Sequence, residues 1–209
     1  MEYALAFDRH RKVRLLIVPP LFDEANRMRR MLVDTMRLLD AAGMDCFLPD
    51  LPGCNESEQD FSAQSLHGWR RAMALAASHF RASDVLAVRG GALVFPKVLP
   101  GMVLEPVKGA SILRQMLRAR TIAAREAGRN ENAAELLVQG RETGLELAGW
   151  HCGPSLIAGL ENADPEIEGQ RIIAQAELGG AGLWLRAEPS AAPDQSAALA
   201  RIVLEEVAP

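Results

Sequence analysis

Hydrophobic positions arrive in short, dense runs separated by stretches of helical spacing. Val13 to Val18 is a short apolar run, interrupted only at Arg14 and ending at Pro19-Pro20, and Asp84-Val85-Leu86-Ala87-Val88, apolar from Val85 on, is a second. Runs of this length without polar alternation suit strands buried on both faces of a sheet. Cys46-Phe47-Leu48 and Met102 to Leu104 read as two more strands. Between them, Met28, Met31, Leu32, Thr35, Met36 and Leu39 recur at steps of three and four, as do Leu66, Trp69, Met73, Ala76, Ala77 and Phe80. Each set predicts an amphipathic helix, the first capped by Asp23 and stopped by Gly43.

From Lys108 to about Val138 the spacing is wholly helical, interrupted at Gly128-Arg129-Asn130, and Ser111 is placed to cap it. Leu145 to Trp150 reads as an extended segment and Ser155 to Leu160 as a short helix behind Pro154. Arg171 to Ala176 and Gly182 to Leu185 read as strands, and Gln195 to Val207 as a closing helix. Alternation of strand and helix predicts a three-layer α/β fold: a mostly parallel sheet, helices on both faces, and a helical lid inserted at about 108–140. The 209 residues are expected to form one domain over 1–209.

Composition narrows the function by exclusion. A net charge of −4 offers no general attraction to nucleic acid or to anionic membranes. No stretch approaches the roughly 20 apolar residues of a spanning helix, and the start lacks a basic segment followed by an apolar run, so a cytoplasmic location is expected. Three cysteines without C-x-x-C spacing suggest neither a disulfide framework nor a zinc site, and neither a metal nor a cofactor is expected. Of the 23 basic residues only Lys12, Lys97 and Lys108 are lysines. Arg114, Arg118, Arg125 and Arg129 form a basic stripe, read either as a solvated face or as a docking surface for a polyanionic partner.

The candidate chemistry sits where the Asp84 to Val88 strand runs into Arg89-Gly90-Gly91. A G-x-S-x-G elbow carries its nucleophile at that turn, and here the position holds a permanently protonated guanidinium. The four histidines, His10, His67, His79 and His151, all lie upstream of the place where the base of a Ser-His-Asp triad is expected, while Glu177 could stand as the acid. The triad is thus degenerate. Candidate catalytic groups are Arg89, Glu24 and Asp50; candidate substrate contacts are Phe22, Asn26, Arg27, Arg30 and Gly90. Arg27, Arg30 and Arg89 would bracket a small anionic or acylated ligand at a helix start. The competing reading is structural, with Glu24 holding Arg89 and Arg30 meeting Asp34.

The segment Leu16-Ile17-Val18-Pro19-Pro20-Leu21-Phe22-Asp23-Glu24-Ala25-Asn26-Arg27-Met28-Arg29-Arg30-Met31 resembles the signature of the α/β-hydrolase-like proteins of bacterial exosortase A systems. The likeness is to the second of their two hydrolase types. Pro49 to Cys54, Arg89-Gly90-Gly91-Ala92-Leu93, Glu105 to Gly109, Leu113 to Arg118 and Leu145 to Leu160 extend it. The resemblance implies an α/β-hydrolase fold, an elbow arginine as a family trait, and an accessory role near exopolysaccharide production or protein sorting. Two function classes remain open: an accessory protein that binds or processes an anionic or acylated substrate, as a monomer or a homodimer, and a non-catalytic binding or scaffold member of the fold.

Overall fold

A computed structural model describes residues 2–207. Six strands form one sheet in the order β1-β3-β2-β4-β5-β8. They are β1 (Ala4–Phe7), β2 (Arg14–Val18), β3 (Asp45–Pro49), β4 (Asp84–Val88), β5 (Gly101–Leu104) and β8 (Arg171–Ile173). All neighbours run parallel except β1, which lies antiparallel on β3 at one edge. β1 was not predicted: four residues at a sheet edge, partly exposed, leave no apolar run to read.

Strand side chains alternate between two cores, as the pleat requires. Leu15, Ile17, Cys46, Leu48, Leu86 and Val88 face α1 (Asp23–Ala41) and α7 (Pro193–Val207). Leu16, Val18, Phe47, Val85 and Ala87 face α2 (Leu66–His79), α3 (Gly109–Glu126) and α5 (Pro154–Glu161). The three-layer, mostly parallel α/β arrangement is therefore the one expected. On the first face α7 lies along α1, and their junction is tied by Ser196 Oγ donating to the Met31 carbonyl at 3.3 Å.

The stretch between β5 and β8 holds α3, α4 (Ala133–Thr143), an antiparallel hairpin of β6 (Leu145–Leu147) and β7 (Trp150–Cys152), and then α5. Several local expectations need correction. Asp23 is the first residue of α1 and does not cap it; the cap position is Phe22, with φ 56° and no side-chain bond. Lys108, not Ser111, precedes α3. The stripe breaks at its end, because α3 stops at Glu126 and Arg129 turns to Glu131. The strand at 171–176 stops at Ile173 and gives way to α6 (Gln175–Leu178). Gly182 to Leu185 is no strand but a 3₁₀ turn, since an apolar run of four cannot by itself distinguish the two. No described helix is long and apolar enough to cross a membrane.

Candidate functional site

β4 is fully buried from Val85 to Val88 and ends in a sharp turn at Arg89, whose φ of 54° is left-handed. Gly90 and Gly91 make that turn possible. A Cβ on Gly91 would stand 2.5 Å from the Pro19 carbonyl oxygen and 2.8 Å from that of Val18, so the bend packs directly on the end of β2. The strand thus passes into a 3₁₀ turn over Arg89–Val94 with its one left-handed residue at Arg89. Phe22 after β2 (φ 56°) and Glu105 after β5 (φ 45°) are also left-handed. Conformations of this kind cost about 1–2 kcal/mol each for residues other than glycine. Three adjacent strands thus concentrate backbone strain at their C-terminal edge, where open α/β sheets bind ligands.

Arg89 is committed to internal partners. Its Nε and Nη2 donate to Glu24 Oε2 and Oε1 at 3.1 and 3.0 Å, and its Nη1 donates to the Glu105 carbonyl at 3.3 Å. The guanidinium also lies over the Trp184 ring, 4.1 Å from its centroid. The side chains of Arg89 and Glu24 are only 12% and 15% exposed. Arg27 completes the cluster by donating from Nη1 to the Trp184 carbonyl at 3.0 Å. Glu105 in turn accepts from the Gln175 amide at 2.6 Å, joining the ends of β5 and β8.

The other candidates lie elsewhere. Asn26 and Arg30 are exposed and line a surface cleft with Arg37 and Pro189; Arg30 approaches Asp34 at 3.9 Å. The predicted bracket of Arg27, Arg30 and Arg89 is therefore not assembled. Phe22 packs edge-on against Phe61, Trp69 and Trp150, with centroids 5.9 to 6.2 Å apart, and belongs to the core. Gly90 is covered by Leu21 and Ile112. Asp50, 1% exposed at the end of β3, accepts from Arg29 Nη1 at 3.1 Å and Asn55 Nδ2 at 2.7 Å, fastening α1 to the loop that follows β3.

Trp184 and Glu105 were not singled out as site residues from sequence. Glu105 carries a faint signal, a carboxylate at a strand end before Pro106, while Trp184 lies in an apolar run of four that reads as a strand. Surface clefts of about 830, 620 and 490 Å³ open elsewhere, and none is lined by Arg89 or Glu24. The thiols offer no replacement nucleophile. Burial pushes Cys46, Cys54 and Cys152 up to about 12, aided for Cys54 by the neighbouring charges of Asp50 and Glu2. His151 is exposed on β7, while the adjacent Cys152 points into the core. Among the described residues no group of acids, thiols and imidazoles is arranged to hold a metal ion.

No family profile matches the chain, and no curated protein does. Several of the similar solved structures are named as α/β hydrolases. Alpha/beta hydrolase domain-containing protein 10 from mouse is 11% identical over 66% of this chain and 54% of its own, with a TM-score of 0.46. The alpha/beta hydrolase GrgF from Penicillium sp. sh18 is 14% identical over 71% and 69%, at 0.43. Smu.1393c from Streptococcus mutans is 12% identical over 99% and 92%, at 0.47. For several of these structures, the mouse protein included, the match spans about half of the other chain's own length.

Proposed function

We propose that this chain is a non-hydrolytic member of the α/β-hydrolase fold, a binding or scaffold protein whose elbow holds an internal ion pair in place of a nucleophile. The observation that carries this reading is the two-pronged contact of Arg89 with Glu24 over the elbow. Acyl transfer needs an attacking group, a base beside it and room for the acyl carbon. At the elbow the attacking position is a guanidinium, its anion-binding face is filled by Glu24, and Leu21, Ile112 and Trp184 pack around the turn. The resemblance to the second hydrolase type of exosortase A systems supports an accessory role beside exopolysaccharide production or protein sorting.

The test is direct. Purified protein is incubated with p-nitrophenyl acetate, butyrate and octanoate, and separately with a fluorophosphonate probe. No turnover above the heat-denatured control and no labelling are expected. Ester turnover that disappears in R89A or E24A overturns the reading.

One observation favours a second reading, in which the site takes a small anionic or acylated ligand. Arg89 lies over the Trp184 ring and Arg27 donates to the main-chain carbonyl of the same residue, so a carboxylate that displaced Glu24 would meet Arg89 beside an indole, with a second guanidinium anchored to that residue. In that case E24Q binds acetate or acyl phosphate more tightly than the parent protein, and R89A binds neither.

A further inference from the structure

Two covers meet over the C-terminal edge of the sheet, and both are fastened to the first turns of α1. The β6–β7 hairpin sends Trp150 Nε1 to Asp23 Oδ1 at 3.0 Å. The segment from Gly179 to Ala192, which joins α6 to α7, offers its Trp184 carbonyl to Arg27 and lays the Trp184 ring on Arg89. Their anchoring differs. The hairpin buries Leu145, Leu147 and Cys152, and its Trp150 packs against the rings of Phe22 and Phe61. Between Gly182 and Ala191 the later segment buries one side chain in full, Leu183, while Leu185, Arg186, Ala187, Glu188 and Pro189 are exposed.

The backbone of this segment is independent of the elements beside it. Among the described residues, main-chain bonds from Gly182 to Ala191 run only within the segment, from the Leu185 and Arg186 amides to the Gly182 and Leu183 carbonyls. Its near end turns through Gly179 and Gly180, at φ 74° and 65°, a region that glycine enters without steric cost. Gly182 has a different role. A Cβ there would stand 2.4 to 2.6 Å from three ring atoms of Trp184, so the missing side chain is what lets the indole fold back to reach Arg89.

We infer that Gly179–Ala192 is a hinged lid over Arg89 with Trp184 as its latch; what enters beneath it rests on the second reading of the site, a small carboxylate or acylated ligand. Segments that open without global unfolding are those with few buried apolar contacts and few bonds to their neighbours. Lifting this one breaks the Arg27 bond and the ring contact with Arg89 and uncovers Leu183, while the sheet and its flanking helices keep their own bonds. Of the two covers the lid is the more weakly held, so it, and not the hairpin, is the one that admits a ligand. The Arg89 guanidinium, 12% exposed with the lid down, then presents the face that the indole had covered.

The experiment treats the full native chain with trypsin and, separately, with phenylglyoxal, and maps the cut and labelled arginines by mass spectrometry. Trypsin cuts chain that can leave the surface, so cutting after Arg186 reports the lid, and cutting after Arg129, on the turn beyond α3, is the control. R27A removes one bond to the lid, and G182A pushes the indole aside without altering Arg27, Arg89 or Glu24. Each is expected to speed both cutting after Arg186 and labelling of Arg89 by about fivefold or more, the effect of one lost hydrogen bond, with Arg129 cut at the parent rate. R27K, which keeps a donor, is expected to fall between R27A and the parent. Unchanged rates in R27A and G182A overturn the inference, as does equal acceleration at Arg186 and Arg129, which marks global unfolding. Faster cutting after Arg186 without faster labelling of Arg89 overturns it too, because the segment then does not control access to that residue. Labelling of Arg89 that rises in G182A but ignores excess acetate supports the lid and counts against the anion reading, so the two fail separately.

Discussion

Glu24, in the first turn of α1, reaches across the end of the sheet to Arg89, so that its two carboxylate oxygens meet two nitrogens of one guanidinium. Bringing two charges nearly out of water costs solvation that their contact offsets, so removing either leaves the other unmatched. E24A is expected to lower stability by about 1–3 kcal/mol, less than the cost for a fully buried pair because both groups keep some solvent contact. E24A/R89A is expected to lose little more than either single variant. Urea denaturation of the four proteins checks this, and strictly additive losses would show that the pair does not couple.

The elbow makes a second prediction at its glycines. A methyl group on Gly91 collides with backbone oxygens of Val18 and Pro19, which cannot move without shifting β2. On Gly90 it meets side-chain atoms only, Ile112 Cδ1 and Leu21 Cγ at 2.9 Å and Leu21 Cβ at 3.2 Å, which give more readily than backbone oxygens. G91A is expected to cost about 1–3 kcal/mol and G90A distinctly less. The reverse order in urea midpoints would count against the packing described.

Asp45 anchors the opposite end of the sheet. With no exposed side-chain surface, it accepts from the Arg9 amide at 3.0 Å, the Arg11 amide at 2.9 Å and Arg14 Nη1 at 2.7 Å. D45A strands a guanidinium and two amides together, and a loss of about 3–5 kcal/mol is expected. D45N, which keeps the shape without the charge, should fall between D45A and the parent protein in a denaturant titration.

Acid should weaken the fold through its surface pairs. Asp40 beside Arg11, Glu131 beside Arg120 and Glu177 beside Arg171 are all held below the usual carboxylate range by those guanidinium groups. A carboxylate whose pKa is depressed on folding stabilises the native state above its ordinary value and loses that contribution as pH falls. The melting temperature is therefore expected to decline below about pH 4.5, with a shallower decline in E177Q. A melting temperature that rises on acidification would contradict these assignments.

The thiols supply a chemical check. With all three raised to about 12, roughly one in 10⁵ is ionised at pH 7, so native protein should not react with Ellman's reagent. Unfolding in guanidinium chloride should release three equivalents. A thiol that reacts within seconds in the native state would identify a nucleophile the described packing does not provide.

Sequence patterning carried most of the architecture because the central parallel strands are buried on both faces and so leave dense apolar runs, whereas the edge strand β8, with Ile172 half exposed, does not. Asp84 to Val88 was legible to the residue, and α1 and α2 followed from their stripes. The sharp bend after β4 was legible as well, from Arg89-Gly90-Gly91 following the apolar run, and Gly91 is packed too closely on β2 for a side chain. What sequence could not decide was the employment of Arg89. A guanidinium at a strand end serves an external anion or an internal one equally well, and the choice rests on Glu24, 65 residues away. Trp184 was misplaced because Gly-Leu-Trp-Leu offers apolar residues to strand and turn alike. Phe22 likewise looked like a ligand contact by position and proved to be core, through rings contributed by α2 and by β7.

The seating of α7 on α1 has a consequence for biosynthesis. Ser196 and Met31 are 165 residues apart, so the oily side of α1, with Met28, Met31, Leu32, Met36 and Leu39, is translated long before the helix that shields it. A nascent or truncated chain carries that methionine-rich surface uncovered, which makes it a target for chaperones and proteases until the C-terminal helix closes over it.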